Sequence, residues 1–259
     1  MVMRQLKTGE FFGETDQTLK LDGLILTDTV YTHSYVDWHY HEQAYFTFIL
    51  QGSVLEGNRK DVFHCSPGSL LYHHHQEPHY NIKPEGFTRG FHLELEPAWF
   101  SRFDLHSPEG SLNIKSPDVK ILLYKMFQEM KLNDGFSSLS IECLLLRSFG
   151  KDEGKPQWMP RLKEILYEEA IISLDYLSKE LELHPVHISR MFAKYFNCTL
   201  GEYLRKLKVE RSMKLLPDAE LSITEIAFNC GFADQSHFIR CFRSLFGTTP
   251  SVYRKLFAC

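Results

Sequence analysis

The chain has 259 residues, a formal net charge of −4, 43% hydrophobic and 14% aromatic residues. Its length exceeds the about 100 to 200 residues of one usual domain, so two domains are expected. The apolar content excludes a mainly disordered or collagen-like chain, and no apolar run approaches the roughly 18 residues of a membrane span. With no signal-type apolar core at the N-terminus, a soluble cytoplasmic protein without a membrane partner is expected. Six cysteines (Cys65, Cys143, Cys198, Cys230, Cys241 and Cys259) form no C-x-x-C pair, which fits reduced thiols rather than a disulfide framework or a cysteine zinc site. The charge divides unevenly: residues 1–156 carry 15 Lys/Arg against 21 Asp/Glu, and residues 157–259 carry 14 against 12. The second half is mildly basic, which leaves room for a nucleic-acid partner.

From about residue 22 to 96, short β-prone runs alternate with turn residues, at 23–32, 44–50, 53–56, 61–65, 69–72, 79–82 and 88–95. That spacing predicts a sandwich or barrel. Gly57-Asn58 reads as a hairpin turn between two of the runs, and Ser66-Pro67-Gly68 as the next turn. Beyond Glu96 the period changes: Val119, Leu122, Leu123, Met126, Phe127 and Met130 recur at three-four spacing along one helix face. A second helix is predicted at 138–149 after a turn at Asn133-Asp134-Gly135. This hairpin has more apolar surface than it can hide alone, so it must pack on the β-rich part or on a second subunit. The polar stretch 150–156, glycine-bearing and closed by Pro156, reads as an exposed linker.

The remaining hundred residues read as helical, with capping boxes at Thr199-x-x-Glu202 and Ser222-x-x-Glu225 and proline-led starts at His184-Pro185 and Thr249-Pro250. Within them a pattern occurs twice: His187-Ile188-Ser189-Arg190-Met191-Phe192 with Phe196, and His237-Phe238-Ile239-Arg240-Cys241-Phe242 with Phe246. Upstream, Leu174, Leu177 and Ser178 answer to Ile223, Ile226 and Ala227. Each copy is therefore a short helix, a turn and a second helix, a duplicated helix-turn-helix. Gly231 stands at the second turn, where a left-handed backbone is cheapest for glycine. Such a unit lays its second helix in a major groove, so the polar positions of that helix must be exposed. In the first copy Val186, His187, Ser189, Arg190 and Lys194 are available, with Ile188, Met191 and Phe192 inward. In the second, Gln235, Ser236, His237, Arg240 and Arg243 are available, with Phe238, Cys241 and Phe242 inward. An arginine can hold guanine and a glutamine adenine through paired hydrogen bonds, while Lys194 and Arg243 suit phosphates.

The stretch 221–254, LSITEIAFNCGFADQSHFIRCFRSLFGTTPSVYR, resembles the C-terminal signature of AraC/XylS-type bacterial transcription regulators over nearly its whole length. The resemblance covers about residues 158 to 256. It implies two helix-turn-helix units joined by a long helix, here 200–216, each placing one helix in successive major grooves of double-stranded DNA. By position, base reading falls on Val186, Ser189 and Arg190 in the first unit and on Gln235, Ser236, His237 and Arg240 in the second. Glu182 departs from the pattern, since the first turn often carries glycine. The β-rich half with its helical hairpin is similar to the effector-binding and dimerisation domain common in that family. The fold class expected is thus multidomain: a β-rich, cupin-like, effector-binding barrel over 1–108, a helical hairpin for homodimerisation over 109–150, a linker over 151–158, and an all-helical tandem helix-turn-helix domain over 159–259. The partners implied are double-stranded DNA, a small-molecule effector, a second copy of the chain and RNA polymerase. No enzymatic activity is expected. A joining helix of about sixteen residues spans roughly 24 Å, against about 34 Å between successive grooves, so both units engage if the DNA bends or one docks less deeply.

Ten of the thirteen histidines lie before residue 107. His39-x-His41, followed by His79, resembles the two metal-binding motifs of cupin barrels, in which such histidines converge on an imidazole-binding metal. The glutamate expected four residues after the second histidine is replaced by Tyr45, although Gly52 falls at the motif's spacing. An effector site lined by His39, His41, Tyr45 and His79 is expected. His39, His41 and His79 form the candidate metal set, and hydrogen bonding without a metal is the favoured reading of the two. No cofactor is therefore expected, a divalent metal in the barrel being the one possible exception, and a metal-dependent cupin enzyme is the alternative function. Consecutive strand residues face opposite ways, so His73-His74-His75 is expected to be a loop at the cavity mouth.

Overall fold

The structure, a computed structural model, describes residues 3–149, 156–168, 172–196 and 198–257. Residues 151–155 of the expected linker, the side chain of Met191 and Cys259 lie outside the described residues.

The first part is built from strands β1 (Arg4–Leu6), β2 (Glu14–Leu21), β3 (Leu24–Val30), β4 (Tyr35–His41), β5 (Ala44–Gln51), β6 (Val54–Asn58), β7 (Val62–Cys65), β8 (Leu70–His73), β9 (His79–Ile82) and β10 (Arg89–Leu95). A short helix α1 (Pro97–Arg102) and strand β11 (Leu112–Asn113) follow, and then the hairpin of α2 (Pro117–Leu132) and α3 (Ser137–Ser148). The strands pair as two sheets, in the orders β1-β4-β9-β6-β7 and β11-β8-β5-β10-β3-β2. Among the described residues no ladder joins the two, so the expected closed barrel is instead a two-sheet sandwich.

Alternation along the second sheet explains its burial on both faces. Phe46 and Phe48 of β5 and Phe91 and Leu93 of β10 share one core with Leu123, Met126 and Phe127 of α2. Tyr45 and Thr47 of β5 and His92 of β10 turn the other way and line the space between the sheets. The hairpin thus hides its apolar face on the sheet, at roughly 1.5–3 kcal/mol per fully buried large side chain. Two turn expectations part company here. Ser66-Pro67-Gly68 does turn, with Ser69 N donating to Ser66 O at 2.8 Å and Gly68 at φ 81°. Gly57 and Asn58, however, belong to β6, and the turn lies one step on, where Asn58 Oδ1 accepts from the Lys60 and Asp61 amides. Gly57 pairs with Tyr80, whose ring would stand 2.4 Å from any Cβ at that position.

The second part is helical: α4 (Met159–Glu168), α5 (Leu174–Glu180), α6 (Pro185–Phe196), α7 (Leu200–Leu215), α8 (Ile223–Asn229), α9 (Gln235–Phe246) and α10 (Pro250–Arg254). Both capping boxes are formed, and Pro185 and Pro250 open their helices. Leu162, Ile165, Leu177, Ile188, Phe192 and Tyr203 make a separate core around the first unit. The second unit does not have one of its own. Phe238, Phe242, Tyr253 and Phe257 join the core of the hairpin and sheet. Tyr253 Oη donates to the Tyr124 carbonyl at 2.6 Å, and Arg89 Nη1 to the Phe257 carbonyl at 3.1 Å.

Candidate functional site

The two helix-turn-helix units close in the same way. Leu183 N donates to Ser178 O at 3.1 Å, and Phe232 N donates to Ala227 O at 3.0 Å, each wrapping the chain across a left-handed residue. That residue is Gly231 in the second unit (φ 76°) and Glu182 in the first (φ 52°). Lys208 of α7 adds a hydrogen bond to the Gly231 carbonyl at 2.5 Å. Asp234 caps α9 by accepting from His237 N at 2.6 Å, and Thr224 Oγ1 donates to Gln235 Oε1 at 2.8 Å, which orients the Gln235 amide.

The apolar stripes of α6 and α9 are buried at Ile188 and Phe192 and at Phe238 and Phe242. That leaves Val186, His187, Ser189, Arg190 and Lys194 exposed on α6, and Gln235, Ser236, Arg240 and Arg243 exposed on α9. His237 differs from its expected place among them: it is half-buried, with its ring edge-on to Phe232 at 5.5 Å. Beside α9 runs a groove of about 500 Å³ whose charged lining is Arg205, Lys206 and Arg240 against Glu202, with His237 beside them. The outward face of the second unit is therefore locally cationic although the whole chain is acidic, a combination suited to a polyanion.

A second cluster lies between the sheets. The β4–β9 register sets His39 beside His79, the β5–β8 register sets Tyr45 beside His73, and the β5–β10 register sets Thr47 beside His92 and Tyr45 beside Glu94. Tyr45 Oη donates to His79 Nε2 at 2.9 Å across the sheets, because His79 Nδ1 is committed to the Glu77 carbonyl at 3.1 Å. His39 Nδ1 donates to the Asp37 carbonyl at 2.8 Å in the same manner. His39, His41 and His79 bring ligand atoms within 4.8 Å of one another. All four residues expected at the effector site are thus together, around a cavity of about 20 Å³ whose lining includes Phe11, against His41, and Phe12, against His39. A space that small holds one water or one ion.

Four members of this interior were missed from sequence: Glu56, His73, His92 and Glu94, all buried. His73 also corrects the loop expectation for 73–75, since it ends β8 and points inward, and only His74 and His75 lie in the turn. His73 Nε2 lies 2.9 Å from Glu56 Oε1, a buried ion-pair contact between the sheets. Strand alternation at 55–57 and 91–95, with the polar residue set between apolar or small ones, was the signal available.

Burial lowers His79 and His92 to about 3. It also holds His39 and His41 below the usual histidine value, so these imidazoles are neutral at pH 7. Burial would raise Glu56, but the adjoining His73 outweighs it and holds the carboxyl at about 2. Glu94, with less help, is pushed up by burial to about 7. Burial also brings Lys83, over the Tyr31 ring at 4.1 Å, down to about 8.

Comparison with known proteins bears on the helical part. The family described as "Helix-turn-helix domain" matches residues 177–256. The HTH-type transcriptional regulator GbdR of Pseudomonas aeruginosa is 35% identical over 106 residues, 41% of this chain and 29% of GbdR. The probable transcription factor PqrA of Proteus vulgaris is 36% identical over 84 residues, 32% of this chain and 69% of PqrA. The chain thus spans under a third of GbdR and about two thirds of PqrA. Among solved structures, ToxT from Vibrio cholerae O395 is 15% identical, covering 90% of this chain and 98% of that one at a TM-score of 0.35. No helix among the described residues is long and apolar enough to cross a membrane.

Proposed function

The chain belongs to the AraC-type family of helix-turn-helix transcription regulators, and from that premise we propose that it binds duplex DNA sequence-specifically through α6 and α9 and regulates transcription there. The observation that carries this reading is the pair of equivalent helices with buried apolar stripes and dissimilar outward faces: exposed Val186, His187, Ser189 and Arg190 on one, and exposed Gln235, Ser236 and Arg240 with half-buried His237 on the other. Different fingertips on one scaffold read two different half-sites. Lys194 and Arg243, toward the C-terminal ends of their helices, serve phosphates.

In the same reading the two-sheet part is a cupin-like sensing unit whose ligand contacts His39, His41, Tyr45 and His79. A cavity of about 20 Å³ admits a single ion or water directly, and an organic effector only once Phe11 and Phe12 move. The chain acts as a homodimer through α3. Support for that comes from Phe136, Leu139 and Cys143, which are exposed at helical spacing, a face that solvent disfavours and a twin helix would cover. Selection from a random pool of duplexes by the full chain tests the central reading. A bipartite consensus is expected, and recovery of no preferred sequence would overturn it.

A further inference from the structure

The sequence motif directs attention to His39 and His41, and His41 Nδ1 is indeed one orphaned buried atom, but a second set of buried polar atoms stands deeper between the sheets. Glu56 Oε1 and His73 Nε2 are fully buried, and among the described residues neither has a polar partner beyond the other. They face each other from opposite sheets, Glu56 on β6 and His73 on β8, at 2.9 Å. Adjacent ligands of one ion, each about 2.1 Å from it, stand about 3 Å apart at a right angle. His79 supplies a third atom, all three lying within 4.8 Å of one another, so at most about 0.6 Å of closure would bring every pair inside the ~4.2 Å that two such ligands can span.

We propose that Glu56, His73 and His79 bind one divalent first-row transition-metal ion between the two sheets. This deepens the sensing role proposed above by naming the chemical class of the ligand, and it moves the centre of the site off the His39-x-His41 pair. Two imidazoles and one carboxylate are a donor set for iron, zinc, nickel or copper rather than for calcium or magnesium. The carboxylate offsets part of the ion's charge in a place with no solvent to do so. The outer atoms are arranged as they are around bound metals. His79 Nδ1 donates to the Glu77 carbonyl, which fixes Nε2 as the free donor, and the Tyr45 ring stacks on His73 at 4.5 Å and holds its orientation. Tyr45 Oη, which now donates to His79 Nε2, must swing away as the ion enters. Because the ligands come from both sheets, the ion is a clamp across the sandwich.

The test is titration of the full, chelator-treated chain with Co²⁺, read by visible absorption, and with Zn²⁺, read by calorimetry and thermal unfolding. One ion per chain is expected, with a visible cobalt band and a rise in Tm. Glu56→Gln, which keeps the shape of the side chain, and His73→Gln should each weaken binding by more than about 100-fold, beyond the loss usual for an outer-shell partner. The His74→Ala/His75→Ala double variant should bind within a few-fold of the parent and serves as the control for surface histidines. Absence of a stoichiometric ion overturns the proposal. So does binding that survives Glu56→Gln and His73→Gln but is lost with His39→Ala, which would return the site to the sequence motif. Circular dichroism of each variant separates lost ligands from lost fold. DNA selection on the same preparations reports separately, since failure to recover a preferred duplex would sink the regulator reading whatever cobalt does.

Discussion

Glu182 and Gly231 hold the same left-handed turn position in the two helix-turn-helix units, at φ 52° and 76°. A left-handed backbone costs an L-residue about 1–2 kcal/mol that glycine does not incur, and glycine returns about 0.5–1 kcal/mol of that through its freer unfolded chain. Glu182→Gly should therefore stabilise the first unit by about 0.5–1 kcal/mol, read by urea unfolding. Gly231→Ala should destabilise the second by a similar amount. A destabilising Glu182→Gly would mean that its side chain contributes something the turn geometry does not reveal.

Where the two parts of the chain meet, Asp28 is wholly buried between Arg89, whose Nη2 lies 2.6 Å away, and Lys131, whose Nζ lies 2.5 Å away. Arg89 also holds the Phe257 carbonyl at the end of the second unit. Arg89→Met leaves Asp28 with one partner and frees that carbonyl, and should cost about 3–5 kcal/mol in urea unfolding. A cost below about 1 kcal/mol would show that this buried pair does not hold the second unit to the sheet.

Acid should loosen the β-rich part well before ordinary carboxylates titrate. His39, His41, His79 and His92 all have lowered values in the fold, with His79 and His92 at about 3 against 6.5 unfolded. The unfolded chain then binds more protons from pH 6.5 downward, so stability falls as pH falls through that window. Glu94 acts in the opposite sense, since its value is raised to about 7, and its contribution is lost as pH rises from 4.5 through 7. Four groups against one predict a net decline in Tm between pH 7 and pH 5. A flat or rising Tm there would contradict the neutral, buried placement of these histidines.

At the start of α3, the N-cap residue Phe136 is 77% exposed and Leu139 is 64% exposed. Replacing Leu139 with Glu removes little packing within one chain, so folding stability should stay within about 0.5 kcal/mol of the parent. If this face joins two copies, the variant should sediment as a monomer at concentrations where the parent is a dimer. A parent that is monomeric throughout, or a variant that remains dimeric, would move the interface elsewhere.

Much of this was legible in the chain itself, for identifiable reasons. The duplicated pattern at 187–196 and 237–246 marks α6 and α9 because apolar and polar residues there obey helical spacing, and the capping boxes at Thr199 and Ser222 fix where α7 and α8 begin. Strand β4 escaped notice because Tyr35, Asp37, Trp38 and Tyr40 are polar or half-exposed, so its inward pair His39 and His41 was seen as a motif without its strand. Glu56, His73, His92 and Glu94 come from three further strands and meet only through sheet register, which one sequence does not encode locally. The placement of the second unit on the hairpin core was hidden for the same reason: Phe238 and Phe242 look identical in sequence to residues of a free-standing unit.

Base reading by the outward faces of α6 and α9 is tested most directly by comparing Arg240→Ala with Arg243→Ala. Each is titrated against the selected duplex and its single-base variants at two salt concentrations. Arg240→Ala should lose about 1–3 kcal/mol on the selected site and cease to discriminate at one position. Arg243→Ala should weaken every duplex alike and flatten the salt dependence by about one ion. Equal losses from Arg240→Ala on all duplexes, with discrimination intact, would contradict the account.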